Sequence, residues 1–415
     1  MKKILFTISI AFSTFLNAQN YIHQTLVLNE GYFDYATEQI LQPVTIGSYN
    51  PTTNEYQTVA TLNDMRFASD LIINGNYYYV AADTKIFKMD LNTHQEVSSV
   101  SCPGVRNLEI YQNKLIATRG EYLTTYNSYL HIYDASNLSL IVAIDTAQGP
   151  KYASQNIVID GSSAYIAVNN GFEWGNEKGF IGKLDLNTFT YGNEVDLGPD
   201  GKNPDNLVKS GAFLYTVNNK DFSGSSVSKI ALDGSLNTTV NIASAATGCR
   251  TSALRDDKLV YQISQENSLN EFDIISMSAV GPVNGHNLSY YELAQEPVSG
   301  NLYTSETDYF SFGKVHIFDA NNNELSNFNV GISPGTIVFD VRSSAGIPAI
   351  ENKFSVYPNP AEDILNVSVN GIKYVYDFTG KLLIESSATS LDISSLNQGI
   401  YLLNVNGINQ QFVKR

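Results

Sequence analysis

The residues able to do acid–base or metal chemistry are scattered through this 415-residue chain. Its histidines, His23, His94, His131, His286 and His316, share no short motif, and neither H-E-x-x-H nor the G-x-S-x-G nucleophile elbow occurs. Two cysteines, Cys102 and Cys249, are too few for a thiolate zinc site or a disulfide framework. The acids Glu30, Asp34, Glu173, Glu177, Asp221, Glu306 and Asp308 fall in turn-rich segments, where they could pair for acid–base work or hold calcium. Asp319-x-Asn321-x-Asn323 opens like a calcium loop, yet no glycine stands at its sixth place and Val330 occupies the twelfth, so a hairpin turn is expected. No catalytic residue, metal ligand or cofactor is assigned on these patterns.

Recognition chemistry is better supplied. Tyr32, Phe33, Tyr35, Tyr122, Tyr126, Phe172, Trp174, Phe222, Tyr309, Phe310 and Phe312 concentrate in the same segments as those acids. Aromatic rings give large, rigid contact area with a polar tip on tyrosine and tryptophan. Arg66, Arg106, Lys151 and Arg250 recur ahead of apolar runs, with Asn156, Asp205 and Asn206 at related positions. Guanidinium groups there could take a carboxylate or phosphate. The alternative is pairing with Asp70, Glu109 or loop acids. The expected ligand-binding set is Tyr32, Phe33, Arg66, Arg106, Tyr122, Trp174, Arg250 and Tyr309.

A recurring unit must position these residues. Each copy is an apolar strand, a turn, a second strand ending in a small residue, a loop, and a strand closing on a large apolar residue plus Asp or Asn. The closing pairs are Tyr49-Asn50, Met89-Asp90, Tyr133-Asp134, Leu184-Asp185, Leu232-Asp233, Phe272-Asp273 and Phe318-Asp319. An Asp or Asn there can fold its side chain back onto the next backbone N–H and start a tight turn. A period of about 45 residues with four short strands is that of a β-propeller blade, so the fold class is all-β, a seven-bladed β-propeller over 19–345. The first unit lacks its own first strand. Thr336–Phe339 supplies one, which predicts circular closure and removes an exposed edge. In a propeller the loops joining strands two and three share one rim with the blade-to-blade connections. Here those loops carry the aromatics, except in blade two, where only Ala82–Thr84 intervene. Cys102 and Cys249 precede inner strands of well-separated blades, too far apart for a disulfide.

The propeller segment, roughly 23–342, resembles the YncE-like and DUF5074-like seven-bladed propellers, through LNEG at Leu28–Gly31, KMDLNT at Lys88–Thr93 and KLDLNT at Lys183–Thr188. Some members of that group bind cobalamin and related corrinoids at the cell surface, usually as lipoproteins. No lipobox cysteine is present here.

The two ends of the chain carry addresses. Lys2 and Lys3 precede an apolar stretch from Ile4 to Leu16, with a cleavage position after Ala18, so 1–18 reads as a secretory signal peptide too short to span a membrane. A linker is expected at 346–353. Over 354–415, YPNPA, D-x-L-x-V, YD-x-TGK, L-x-x-G-x-Y and FVK follow in order, with Tyr357, Pro358, Asn359, Pro360, Gly380, Lys381, Gly399 and Tyr401 at the motif positions. Gly380 and Gly399 are expected to supply turns with unusual backbone angles. This order resembles the type A sorting domain of the type IX secretion system, here read as a small β-sandwich. The resemblance implies the type IX machinery as partner, then surface display or release after removal of signal and sorting domain.

A formal net charge of -16, from 25 Lys+Arg against 41 Asp+Glu, argues against a nucleic-acid partner. No further apolar run is long enough for a transmembrane helix. The expected function is a secreted or surface-held binding propeller for a small molecule, glycan or protein. The alternative is a lactonase-, lyase- or hydrolase-like enzyme using loop carboxylates, with or without calcium.

Overall fold

In the computed structural model, residues 19–344, 354–377, 379–405 and 408–415 are described. The leader expected at 1–18 and the linker expected at 346–353 lie outside them. One compact unit spans Tyr21–Arg342, and a second holds the C-terminal residues from Ser343 onward.

Seven antiparallel sheets make the propeller, six of them with their strands in chain order from the inside outward. Blade two is typical: Asp70–Asn74, Tyr77–Ala82, Lys85–Asp90 and Glu96–Ser101. The second strands read as continuous apolar runs because a neighbouring blade covers each face. Tyr79, Ala81 and Ile86 of blade two pack on Val105, Leu108, Leu115 and Ala117 of blade three, all buried. Burying one such aliphatic side chain contributes about 1.5–3 kcal/mol. The outermost strands alternate toward solvent, as in Leu140–Asp145.

The closing pairs form the turns their chemistry predicts. In all seven blades the Asp or Asn Oδ1 accepts from the backbone N–H two residues on, at 2.7–2.9 Å. Asp319 belongs to this set, so its segment is a hairpin turn.

Closure also follows the sequence. Pro334–Ser344 is the innermost strand of blade one, ahead of Gln19–Asn29, Val44–Asn50 and Glu55–Leu62. Polar side chains on the inner strands latch blade to blade. Asp70 accepts from Asn107 Nδ2 at 3.2 Å and Leu108 N at 2.8 Å. Asn156 accepts from Leu207 N at 3.2 Å, and Asn206 donates to Ser252 O at 2.8 Å. Asn156 and Asn206 therefore hold the ring together. Cys102 is buried and free.

The C-terminal domain has two sheets. One contains Val356–Tyr357, Ile364–Val367 and Ser390–Asp392; the other contains Leu382–Ser386, Lys373–Tyr376, Gly399–Val405 and Ile408–Lys414. Phe354, Leu365, Val375, Leu391, Leu403 and Phe412 form its core. Pro358 and Pro360 follow the short Val356–Tyr357 strand, where no ladder hydrogen bond is lost. Asn359 accepts from Val413 N at 2.9 Å and so clips this segment to the last strand. Tyr401 is buried and donates its hydroxyl to Asn397 O at 2.8 Å. Asp377 Oδ1 accepts from Thr379 N and Lys381 N, and Gly380 within that turn has φ +82°. Gly399 corrects the expectation: it opens the Gly399–Val405 strand and is not among the glycines with positive φ.

Candidate functional site

The loops between second and third strands differ sharply in length. In blade one this loop folds into a hairpin of Tyr32–Asp34 and Gln39–Gln42. In blade two it is only Asp83-Thr84. A tall loop beside a short one leaves a notch, and Arg66 and Phe67, from the connection between blades one and two, lie in it. The result is a cleft of about 810 Å³ lined by Glu30, Tyr32, Phe33, Tyr35, Arg66, Phe67, Arg106, Glu121, Tyr122, Phe172 and Tyr309. Six of the eight sequence-derived ligand residues meet there: Tyr32, Phe33, Arg66, Arg106, Tyr122 and Tyr309.

The floor is an alternating stack of rings and guanidinium groups. Arg66 lies 5.8 Å from the Phe33 centroid and 5.3 Å from that of Phe67. Arg106 lies 5.2 Å from the Phe67 centroid and 4.1 Å from that of Phe172. Each cation–π contact contributes about 0.5–2 kcal/mol depending on desolvation. Asp83 takes a bidentate pair from Arg66, Nη2–Oδ1 at 2.6 Å and Nε–Oδ2 at 2.9 Å. Those bonds hold the Arg66 pKa above its ordinary value. Glu121 bridges the two arginines, 3.4 Å from Arg66 and 3.7 Å from Arg106. Arg106 donates Nε to Gly120 O at 2.6 Å. Burial lowers its pKa, and the Glu121 charge partly offsets this.

Below the cleft a chamber of about 240 Å³ opens into the channel, lined by Glu30, Arg106, Asn169, Asn203, Asp205, Asn219, Arg250 and Tyr291 among others. Arg250 donates to Ser69 O and, at 3.3 Å, to Asp70 Oδ1, while its backbone N–H donates to Asp205. Arg250 is thus engaged by blade two and lines this chamber rather than the cleft. Asp70 is its partner, as the pairing alternative had it. Glu109, the other proposed partner, instead accepts from Ile110 N. Burial pushes the Glu30 carboxyl up to about 7, against a Tyr291 hydroxyl that donates to it at 3.0 Å. Glu292 is pushed up to about 8 by burial, partly offset by Arg250.

Trp174 sits 80% exposed on the long blade-four loop. Gly175 has φ +81°, a backbone conformation that glycine adopts without steric cost. Trp174 lines a second cavity of about 410 Å³ with Tyr122, Leu123, Thr124, Tyr129, Phe172 and Glu173, beside the main cleft rather than in it. Its ring is 6.3 Å from that of Phe222. Other loop rings partner one another: Tyr32 with Phe310 at 5.3 Å and Tyr309 with Tyr291 at 5.3 Å.

The loop acids do not converge. Asp34 accepts from Ala36 N, Glu173 from Asn170, Glu177 from Gly175 N, Asp221 from Ser223 and Asp308 from Phe310 N. Glu306 faces His316 at 3.6 Å. Among the described residues no group of three or more His, Cys, Asp and Glu is placed to hold a metal ion. Phe67, Asp83, Glu121 and Tyr291 are site residues that the sequence reading missed. The signal for Phe67 was its place beside Arg66, one blade before Arg106.

Residues 355–415 match the family model for the secretion system C-terminal sorting domain. No curated protein matches the chain. Among solved structures it is similar to a hypothetical selenium-binding protein from Sulfolobus tokodaii, with TM-score 0.57 and 10% identity over 80% of this chain and 95% of that one. It is also similar to the extracellular domain of a hybrid two-component system protein from B. thetaiotaomicron, with TM-score 0.52 and 14% identity. That match covers 94% of this chain and 57% of the other, so the chain spans a little over half that length. A third similarity is to dihydro-heme d1 dehydrogenase NirN, with TM-score 0.51 and 13% identity over 90% of this chain and 76% of that one. At these identities the likeness is one of fold. The C-terminal match marks the protein for type IX export to the cell surface or extracellular space and implies contact with that secretion machinery. No helix among the described residues is long and apolar enough to cross a membrane.

Proposed function

We propose that the propeller is an extracellular binding module that holds its ligand in the aromatic cleft over blades one to four. The observation that carries this is the floor itself: Phe33, Arg66, Phe67, Arg106 and Phe172 alternate across four blades, with their charges paired to Asp83 and Glu121. Such a surface offers flat apolar faces and fixed polar edges, as ligand sites commonly do. Export begins with loss of 1–18 and ends with loss of the sorting domain. Membership of the YncE-like and DUF5074-like group goes with this reading. A corrinoid is the alternative ligand, its flat macrocycle set on the same rings. An enzymatic reading has one observation in its favour: Glu30, with its pKa near 7, lies where the cleft meets the channel and has the proton affinity of an acid–base group.

The test is a thermal-shift and tryptophan-fluorescence screen of the full chain against glycans, cyanocobalamin, haem and divalent metals. A hit whose affinity falls at least tenfold in both Phe67→Ala and Arg106→Ala supports the cleft. A hit unaffected by both variants overturns it. Turnover of a hit that disappears in Glu30→Gln would establish the enzyme instead.

A further inference from the structure

The cleft and the Trp174 cavity adjoin: Glu121, Tyr122, Thr124 and Phe172 line both. At about 810 and 410 Å³, each alone falls in the range of about 300–1,000 Å³ that holds a drug-sized ligand. Joined, they exceed it and run from Tyr309 of blade seven to Trp174 of blade four. A compact molecule leaves part of such a groove empty, whereas a chain of repeating units fills it.

The charges narrow the chemistry. Arg66 is neutralised by Asp83, and Glu121 faces both arginines. An anionic polymer finds no unbalanced cation on this floor and meets a protein of net charge -16. A cationic polymer finds no unbalanced carboxylate among these pairs either, since Asp83 and Glu121 are held by the arginines. An uncharged chain suffers neither penalty. Glu121 and Arg106 stand 3.7 Å apart. One supplies planar acceptors and the other planar donors, side by side, and a pair of neighbouring hydroxyls both donates and accepts. Tyr122 and Trp174, 59% and 80% exposed, offer ring faces to which the C–H face of a sugar can stack.

Building on the binding reading above, we propose that the groove takes a neutral oligosaccharide, with one sugar ring on Trp174 and the preceding rings in the cleft over Arg106 and Glu121. The chain then spans two subsites, and Trp174 reports occupancy of the outer one.

The test is calorimetry and fluorescence titration of the full chain with uncharged hexasaccharides (β-glucan, α-glucan, xylan and mannan types), their disaccharides, hexagalacturonate and an uncharged extended decapeptide. At least one neutral hexasaccharide should quench Trp174 and bind tenfold or more tightly than its disaccharide. Trp174→Ala should weaken the hexasaccharide at least tenfold and the disaccharide less than twofold, while Arg106→Ala weakens both. No binding by any neutral hexasaccharide at millimolar concentration overturns the proposal, as does tighter binding of hexagalacturonate or the peptide. If either of those two binds and loses affinity in Arg106→Ala, the sugar assignment fails while the cleft stands. If a neutral sugar binds undiminished in both variants, the cleft reading itself fails.

Discussion

Ring closure makes a quantitative demand on Tyr49. It lies on the third strand of blade one, 2% exposed, with its ring stacked on Phe328 from the outermost strand of blade seven at 4.0 Å and 3°. Its hydroxyl donates to Asn54 Oδ1 at 2.7 Å. Val27 and Ile337 from blade one, with Tyr303, Val315, Ile317 and Val330 from blade seven, complete the cluster. Truncating a buried aromatic costs about 3–5 kcal/mol, and a stacked pair contributes about 0.5–1.5 kcal/mol beyond area. Tyr49→Ala should therefore lower unfolding free energy by about 3–5 kcal/mol in urea titrations followed by circular dichroism. Tyr133→Ala, at the same position of blade three and equally buried, is the interior reference. The Tyr49/Phe328 double-mutant cycle should show coupling of about 1 kcal/mol. In an open array Tyr49 would face solvent at the end of the stack and cost under about 1 kcal/mol. A loss that small, with zero coupling, while Tyr133→Ala keeps its full cost, would refute the closed seam.

Trp174→Ala should change stability by less than about 1 kcal/mol, because the ring is mostly exposed; blue-shifted emission from the ligand-free chain would contradict that exposure. Turn hydrogen bonds hold the Asp90, Asp134, Asp185, Asp233 and Asp319 carboxyls below their ordinary values. Their stabilisation is complete above the unfolded value of about 4 and is lost as pH falls through the lower folded values. Replacing them together by Asn keeps each acceptor, so the urea midpoint should fall less between pH 6 and pH 3 than in the parent. Glu292 has the opposite sign: its folded value near 8 exceeds the unfolded one, so its contribution disappears as pH rises through 8, and Glu292→Gln should flatten the loss of stability between pH 5 and pH 9. Deleting 355–415 should leave the chain in the periplasm by cell fractionation; normal surface display of the truncated chain would contradict the sorting assignment.

Much of the propeller was legible because its signals are local and repeated. A closing Asp or Asn needs only the N–H two residues on, and seven copies of one turn fix the period. The displaced strand at Thr336–Phe339 was legible as a missing part, since a blade without its inner strand leaves an edge unpaired. Gly399 misled because glycine reads as a turn whether or not the backbone needs one. At the start of Gly399–Val405 it pairs with Lys414 in ordinary strand geometry, and an added Cβ there would make only ordinary contact with Tyr401.

The site was legible only to the level of its rim. Aromatic loops could be assigned to one face because loop order around a propeller is fixed by strand order, which is why Tyr32, Tyr122 and Tyr309, from three different blades, share one cleft. Which cations would face a ligand was not legible, since that depends on partners distant in sequence. Arg250 meets Ser69 and Asp70 from nearly the opposite end of the propeller segment, and only a closed ring brings them together. Arg66 is held by Asp83, available because the blade-two loop is two residues long. The same short loop leaves the notch that Phe67 fills between Arg66 and Arg106. The feature read as an exception to the pattern of long loops is therefore what creates the cleft: lengthening Asp83-Thr84 would fill the notch and displace the arginine stack from its carboxylate.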